Sequence, residues 1–289
     1  MSAGSANPSL AWVGGRFVPW QDAVVPVEDR GFQFGESLYE VFPLSAGKVR
    51  LLDEHLARLR RGAEVLGIDH GIPEREEWLA AAARLMQADD IQEGLLYCQL
   101  TGGTCPRSHH VARRPEPFLV AYLRPYRFPR ADIAERGIRV ITMPDRRWAG
   151  CDIKSTMLLP AVLARREVSA RGADEALLIG DDGTLREGTS SNVFLVFGRE
   201  LVSPTQDAHV LPGITQPLVG EVAREAGYSV RSETIEASRL ADADEILITS
   251  TSRFVLGAIE LDAVSLRDGR PGPVALELAA GMRRRFEIS

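Results

Sequence analysis

The stretch Cys151-Asp152-Ile153-Lys154-Ser155-Thr156-Met157-Leu158-Leu159 carries one of only two lysines in this chain of 289 residues, although lysine and arginine together number 34. The other is Lys48, in the polar stretch Ala46-Gly47-Lys48-Val49-Arg50. A lysine amine, unlike an arginine guanidinium, can lose its proton when desolvated and can then form a Schiff base. Because Lys154 lies in a mostly apolar stretch, the sequence indicates either such a nucleophile or a half-buried cation paired with Asp152 or another acid.

The composition restricts the classes of partner. The formal net charge of -6 and the pI of about 5.5 give no electrostatic case for nucleic acid or an anionic membrane surface. The first ten residues lack the basic and apolar regions of a signal peptide, and no apolar run reaches the roughly 18 residues of a membrane span. The cysteines, Cys98, Cys105 and Cys151, form no C-x-x-C pair. We therefore expect a cytoplasmic protein with small-molecule partners, no metal, no nucleic acid and no membrane.

Short β-branched runs alternate with helical patterns, which indicates an α/β (or α+β) fold. The length suggests two domains at roughly 150 residues each. The segment Arg124–Arg130 is rich in proline and arginine, so we place an interdomain linker at 124–133, between an N-terminal domain at 1–123 and a C-terminal domain at 134–289. The predicted strands are Leu10–Val13, Gly94–Leu100, Phe118–Leu123, Ile138–Met143, Glu175–Ile179, Asn192–Val196, Glu245–Thr249 and Phe254–Ile259. The predicted helices are Asp53–Leu66, Glu74–Gln87, Leu158–Arg171, Ile214–Ala226 and Val274–Phe286.

Three polar segments beside these elements could bind a charged ligand. Glu187 stands beside Gly188 at the mouth of an apolar strand, where it could hold a cationic ring nitrogen or be a solvated turn acid. Leu211-Pro212-Gly213-Ile214-Thr215 opens a helix, whose free amides suit a phosphate or mark a plain helix start. Thr249-Ser250-Thr251-Ser252 leaves a buried strand, and its hydroxyls could bind phosphate or cap the next turn.

Two further segments could bind a carboxylate. Tyr39 follows the glycine-punctuated turn Asp29-Arg30-Gly31-Phe32-Gln33-Phe34-Gly35, and could equally be a core tyrosine. The loop Cys105-Pro106-Arg107-Ser108-His109-His110 presents Arg107 and His109 two positions apart, and Arg supplies a bidentate fork. A metal at the histidines is disfavoured because no third ligand lies nearby and adjacent histidines do not easily bind one ion.

The order of these segments resembles that of the class IV, or fold-type IV, pyridoxal-phosphate-dependent aminotransferases, and most resembles the branch acting on D-amino acids. The resemblance runs from about Trp12 to Phe286, and DRGFQFGESLYEV, CDIKSTMLL, EGTSSNVF, GIT and TSTS are its most specific motifs. It implies a two-domain fold-type IV enzyme with a smaller N-terminal α/β domain and a larger C-terminal β-barrel-like domain with helices.

The resemblance also implies a cofactor, pyridoxal 5′-phosphate, and a role for each matching residue. Lys154 would form the Schiff base and move protons at the substrate α-carbon, and Glu187 would pair with the pyridine nitrogen. Leu211 would pack against the ring, and Tyr39, Arg107 and His109 would hold the substrate carboxylate. The phosphate would be held by Arg58, Ile214, Thr215, Ser250 and Thr251.

The implied reaction is transamination of D-amino acids with a 2-oxo acid acceptor, in a homodimer whose loops complete each other's sites. The Arg-x-His pair favours this branch over the branched-chain L-amino-acid aminotransferases and the aminodeoxychorismate lyases, which share the fold. One departure lies in Thr101-Gly102-Gly103-Thr104, which has glycine where the D-amino-acid branch often carries arginine. The side-chain preference, the acceptor and a non-enzymatic binding role for the fold stay open at this point.

Overall fold

A computed structural model describes residues 7–288 of the protein. The expectation that no signal peptide is present therefore falls largely on residues outside this range. The described residues divide into two compact units, and each is taken by itself below. The first unit comprises residues 7–128 with Ile153–Met157, and the second comprises Pro129–Asp152 with residues 158–288. The boundary at Phe128 falls inside the predicted linker, 124–133. The segment that carries Lys154, Ile153–Met157, belongs to the first unit, although it lies within the predicted C-terminal domain, 134–289. It is called the lysine segment below.

The first unit is a six-stranded antiparallel sheet with two long helices packed on it. The strand order is β2-β1-β6-β5-β3-β4. The core between sheet and helices includes Trp12, Phe42, Leu56 and Trp78. The elements are β1 (Leu10–Val13), β2 (Arg16–Pro19), α1 (Arg30–Phe34), β3 (Ser37–Ser45), β4 (Lys48–Val49), α2 (Leu52–Leu66), α3 (Arg75–Asp89), β5 (Gly94–Thr101) and β6 (Phe118–Pro125).

Helix α2 shows why the sequence forms this element here. Leu56, Leu59 and Ala63 recur on one face and are buried, which is the helical period. Asp53 lies in the first turn, where a carboxylate is favourable to the helix dipole. The helix ends at Gly67, whose φ of +66° is a left-handed conformation that glycine adopts without strain.

The second unit is a nine-stranded mixed sheet with the path β12-β11-β10-β13-β14-β7-β8-β9, and β15 pairs with β14. The sheet curls, because β9 at one end of this path contacts β10 and β11. Helices α6 and α7 contact β13 and β14, and α5 contacts β8. The elements are α4 (Ala131–Arg136), β7 (Ile138–Pro144), α5 (Leu159–Ala170), β8 (Glu175–Ile179), β9 (Leu185–Gly188), β10 (Asn192–Phe197), β11 (Glu200–Pro204), α6 (Thr215–Glu225), β12 (Ser229–Glu233), β13 (Glu245–Ser250), β14 (Phe254–Leu261), β15 (Val264–Ser265) and α7 (Pro273–Arg285).

The interior of the curled sheet is a single apolar cluster that draws residues from most of its strands. In β8 the alternation is clear: Leu177 belongs to this interior, whereas Ala176 and Leu178 belong to the cluster that includes Val168 of α5. Such alternation follows from the two-residue period of a strand. The predicted mixed α/β class, with a β-barrel-like C-terminal domain, is therefore confirmed.

Candidate active site

The lysine segment is anchored on β3 of the first unit by backbone hydrogen bonds. The Tyr39 amide donates to the Lys154 carbonyl at 3.0 Å, and the Thr156 amide donates to the Ser37 carbonyl at 3.0 Å. The hydroxyls of Ser37 and Thr156 also share a hydrogen bond. One edge of β3 pairs with β5 at these residues. The lysine segment pairs with the opposite edge of β3, at the end of the strand where Leu38 lies. This pairing fixes the backbone of Lys154 at a packed sheet.

The Lys154 amine lies against an aromatic face. Its Nζ is 4.1 Å from the centroid of the Tyr39 ring, and that ring stacks on Tyr97 at 6.1 Å. Among the described residues of this unit, no carboxylate forms an ion pair with Lys154. The structure therefore brings the predicted Lys154 and Tyr39 together, with the amine against the face of the aromatic ring.

Arg58 is buried in a network that the sequence pattern does not show. Its Nε and Nη2 donate to the two carboxylate oxygens of Glu40 at 2.7 and 2.8 Å, and His55 Nδ1 lies 2.7 Å from Glu40 Oε2. Helix α2 carries His55 and Arg58 one turn apart, so both face Glu40 on β3. Burial by itself raises the pKa of Glu40, but the charge of Arg58 together with the hydrogen bonds of Arg58 and His55 outweighs burial and lowers that pKa to about 2. Burial also lowers the pKa of His55, so the imidazole stays neutral.

Arg107 and His109 meet around one aromatic ring. The guanidinium of Arg107 lies 5.1 Å from the centroid of Phe34, and the His109 ring lies 5.3 Å from it. In residues 7–288, no hydrogen bond, ion pair or ring contact joins either residue to Tyr39 or Lys154. Over the same range, no group of three or more metal-ligating side chains occurs. The loop thus presents a cation and an imidazole side by side, a combination that can grip a carboxylate.

Glu187 is the buried acid of the second unit. It lies at the end of β9 and is only 4% exposed. Arg147 bonds to its Oε1, while Asn192 Nδ2 and the Leu211 amide donate to its Oε2 at 3.0 and 3.1 Å. Three donors on one carboxylate favour its charged form. Glu187 is therefore a fixed, ionised acid and not the solvated turn residue that the sequence left open.

Asp145 completes this arrangement by pairing with Arg147. Its carboxylate accepts from Arg147 Nε at 2.9 Å and from Nη2 at 2.8 Å. Burial raises the pKa of Asp145, but the hydrogen bonds and charge of Arg147 outweigh burial, and the net shift is downward. The pKa of Arg147 is raised, since its bonds to Asp145 and Glu187 outweigh desolvation. Arg147 therefore bridges the carboxylates of Asp145 and Glu187 in one ion-pair network.

The segments predicted to bind phosphate lie on neighbouring elements of the second unit. Helix α6 begins at Thr215 with no side-chain cap on its first amides, and it packs against β13, which ends at Ser250. A Cβ on Gly213 would collide with Asn192 Oδ1, so only glycine fits between the helix start and that side chain. The hydroxyl of Thr249 is buried and has no partner in the described residues. Uncapped amides, hydroxyls and this orphaned oxygen together suit the phosphate oxygens that the resemblance implies.

Sequence reasoning did not find Asp145, Arg147, Asn192, Glu40 or His55. Each is a charged or polar side chain that is buried or partly buried in the fold, and in sequence such residues look like ordinary surface residues. The remaining predicted residue, Leu211, contributes its backbone amide to Glu187. None of the helices in the described range has the length and apolarity needed to cross a membrane.

Comparison with known proteins finds similarity to aminotransferases in both sequence and structure. Residues 37–261 match the model of the amino-transferase class IV family. The chain is 34% identical to a D-alanine aminotransferase of Bacillus licheniformis over 93% of this chain and 94% of that protein. A branched-chain amino acid aminotransferase from Escherichia coli superposes with a TM-score of 0.86 at 21% identity, covering 98% of this chain and 96% of that one.

A second solved structure extends the likeness. The branched-chain aminotransferase of Thermoproteus uzoniensis with norvaline has a TM-score of 0.83 at 26% identity, covering 95% of this chain and 93% of that one. The structural likeness confirms the predicted fold, and the family match covers both Lys154 and Glu187. The chain belongs to the class IV aminotransferase family, whose members are pyridoxal-phosphate-dependent enzymes.

Proposed function

We propose that this protein transfers the amino group of D-amino acids to a 2-oxo acid, using pyridoxal 5′-phosphate bound at Lys154. The observation that carries the proposal is the 34% identity to a D-alanine aminotransferase along nearly the whole chain. The Arg107–His109 pair around Phe34 adds support, because it offers a carboxylate a guanidinium fork and an imidazole at one place.

Lys154 is the base in this proposal. The cofactor supplies an electron sink for the carbanion that forms at the substrate α-carbon. Lys154 would be the positioned base that takes the α-proton of the substrate, and acid–base catalysis of this kind contributes roughly 10²–10⁴-fold. The ring of Tyr39 and the pairing of the segment with β3 limit the motion of the amine. The carboxylate trap of Tyr39, Arg107 and His109 would then fix which face of the α-carbon meets Lys154.

Glu187 keeps the pyridine nitrogen protonated. Its carboxylate is held in one orientation by Arg147, Asn192 and the Leu211 amide, and would pair with the ring nitrogen of the bound cofactor. An opposite charge in a site of low dielectric constant favours the protonated ring nitrogen. The same loop places Leu211 beside Glu187, in keeping with a packing role against the ring.

The phosphate is held by two sets of residues in this proposal. Arg58 supplies the cation, and its fork is fixed by the buried Glu40. The amides of Ile214 and Thr215 and the hydroxyls of Thr215, Ser250 and Thr251 supply neutral donors on the second unit. A phosphate bound by amides at a helix start needs no further counter-charge there.

We also propose a homodimer in which the Arg107–His109 loop of one subunit completes the site of the other. This proposal rests on the likeness to class IV aminotransferases, in whose fold the active sites lie near a two-fold interface and loops of one subunit complete the site of the other. Large exposed apolar side chains support an interface between two copies: Phe32 is 76% exposed and Leu159 is 67% exposed. The cytoplasm remains the proposed location, since the substrates are small metabolites and the cysteines are free.

The test is a scan of D- and L-amino acids with 2-oxoglutarate and pyruvate as acceptors. We expect D-alanine and D-glutamate to react and their L-forms to react far more slowly. L-Leucine or L-valine outperforming every D-amino acid would overturn the D-specific proposal in favour of a branched-chain aminotransferase. Release of pyruvate from aminodeoxychorismate without an amino acceptor would instead establish a lyase.

A further inference from the structure

Arg30 spans the loop that carries Arg107 and His109. Its guanidinium donates to the Ser108 carbonyl at 2.7 Å and to the His109 carbonyl at 3.5 Å, and its Nη1 lies 3.8 Å from Cys105 Sγ. Its backbone amide donates to the Gly103 carbonyl at 2.9 Å. Arg30 is only 6% exposed, and its bonds to the loop are partly buried. The Arg30 side chain thus contacts the loop at Cys105, near its start, and at the carbonyls of Ser108 and His109.

The ring of Phe34 packs against side chains of the same loop. Its ring lies 5.0 Å from the Arg30 guanidinium carbon, 5.1 Å from that of Arg107 and 5.3 Å from the His109 ring. Arg30 and Phe34 are the first and last residues of the single-turn helix α1. Asp29 caps that helix by accepting from the Phe32 amide at 3.0 Å, and it accepts from the Thr101 hydroxyl at 2.6 Å. The helix is therefore a fixed support, tied to β5 and to the loop.

The charges around Arg30 leave Arg107 available for an anion. Glu36 pairs with Arg30 and also with Arg114, at 3.1 Å. A Cβ on Gly102 would lie 3.1 Å from the Glu36 carboxyl carbon, so the glycine gives this acid its space. Burial lowers the pKa of Arg30, but its interactions with Glu36 and Cys105 together outweigh burial, so the net shift is upward and the guanidinium stays charged. Across residues 7–288, no carboxylate forms an ion pair with Arg107.

We propose that Arg30 is the positioning residue of the carboxylate-binding loop, and that Glu36 and Phe34 hold it in that role. Arg30 itself does not touch the substrate. It fixes the backbone at Ser108 and His109, which directs the side chains of Arg107 and His109 onto the Phe34 ring and holds them ready for an anion. This inference rests on the proposed function, because it takes Arg107 and His109 as the residues that hold the substrate carboxylate.

The test compares Arg30→Gln and Arg30→Lys with the control Arg75→Gln. Arg75 is the matched control because its ion pair with Asp53 at 2.8 Å lies at the surface of the same unit, with the arginine 49% exposed. Arg30→Gln should raise KM for both the D-amino acid and the 2-oxo acid by about ten- to a hundredfold, since misplacing a binding group by about 1 Å has effects of that size. The turnover at saturation should change by less than about threefold, and cofactor content should stay normal.

Two further measurements separate positioning from general stability. Arg30→Lys keeps a cation that can bond Glu36 and one carbonyl, so it should recover part of the lost affinity. Hydrogen exchange should accelerate at the amides of 103–110 in Arg30→Gln and not in Arg75→Gln. Phe34→Leu keeps the Arg30 guanidinium but removes the ring that Arg30, Arg107 and His109 contact. It should raise both KM values by about threefold, and it tests the support of the loop if Arg30→Gln does not fold.

The failure of this inference is distinguishable from failure of the proposed function. If Arg107→Ala raises KM while Arg30→Gln and Phe34→Leu leave it unchanged, Arg30 has only a structural role and the inference is overturned. If the wild-type protein transfers no amino group from any D-amino acid, the proposed function itself fails.

Discussion

Replacing Glu40 by glutamine should destabilise the protein by about 3 kcal/mol at pH 7. The pKa of Glu40 falls from 4.5 to about 2 in the folded protein, and each pKa unit corresponds to about 1.4 kcal/mol. Glu40 is fully buried, so solvent does not screen its pair with Arg58. The figure also agrees with the roughly 3–5 kcal/mol that accompanies removal of one partner from a buried ion pair.

The sign of the pH dependence follows from the depressed pKa of Glu40. Its stabilisation is fully present above pH 4.5 and is lost as the pH falls from there toward 2. His55, whose pKa is lowered chiefly by burial, adds a loss of stability below its ordinary pKa of 6.5. The difference between wild type and Glu40→Gln should therefore be largest at neutral pH and should shrink below pH 5.

Urea unfolding at several pH values, followed by tryptophan fluorescence, measures this difference. Trp12 and Trp78 are buried in the core of the same unit, with ring centroids 5.3 Å apart, so they report its unfolding. Glu74→Gln is the control, because Glu74 is 84% exposed and should change the free energy of unfolding by less than about 0.5 kcal/mol. A loss at Glu40→Gln no larger than at Glu74→Gln, or one that does not vary with pH, would refute the reasoning.

Three further predictions concern activity and assembly. Glu187→Gln should keep normal cofactor content and lose most turnover, because an amide cannot stabilise the charged ring nitrogen; near-normal turnover would contradict its role. Arg107→Ala should lower kcat/KM about ten- to a hundredfold, equally for D-alanine and D-glutamate, since a charge-assisted hydrogen bond contributes roughly 1.5–3 kcal/mol; an effect on only one of them would place Arg107 at the substrate side chain. Sedimentation at micromolar concentration should give a dimer, and a fully active monomer would exclude shared sites.

The elements that the sequence predicted well are those whose own residues determine their burial. Strand β13 at Glu245–Ser250 is apolar on both faces, and helix α2 carries its apolar residues at the helical period. The predicted ends of both lie within one residue of the observed ends. For such elements the local sequence pattern and the tertiary environment favour the same structure, so the pattern is sufficient to predict the element and its ends.

Strand β3 and its partners show what the sequence could not supply. Its buried Glu40 breaks the apolar pattern. The carboxylate of Glu40 can be buried because His55 and Arg58 of α2 form hydrogen bonds with it. The position of the lysine segment on β3 likewise depends on pairing across more than 100 residues. Lys154 and Glu187 could be nominated from their residue types and motifs, whereas the supporting residues became visible only once the chain was folded.

The central claim is that Lys154 carries the cofactor. Borohydride reduction of the purified protein, followed by peptide mapping, should place a reduced pyridoxyl group on the peptide containing Lys154, and Lys154→Ala should show no label and no steady-state transamination. Lys48, the only other lysine side chain, provides the internal alternative. Label on Lys48, or transamination by Lys154→Ala, would contradict the account.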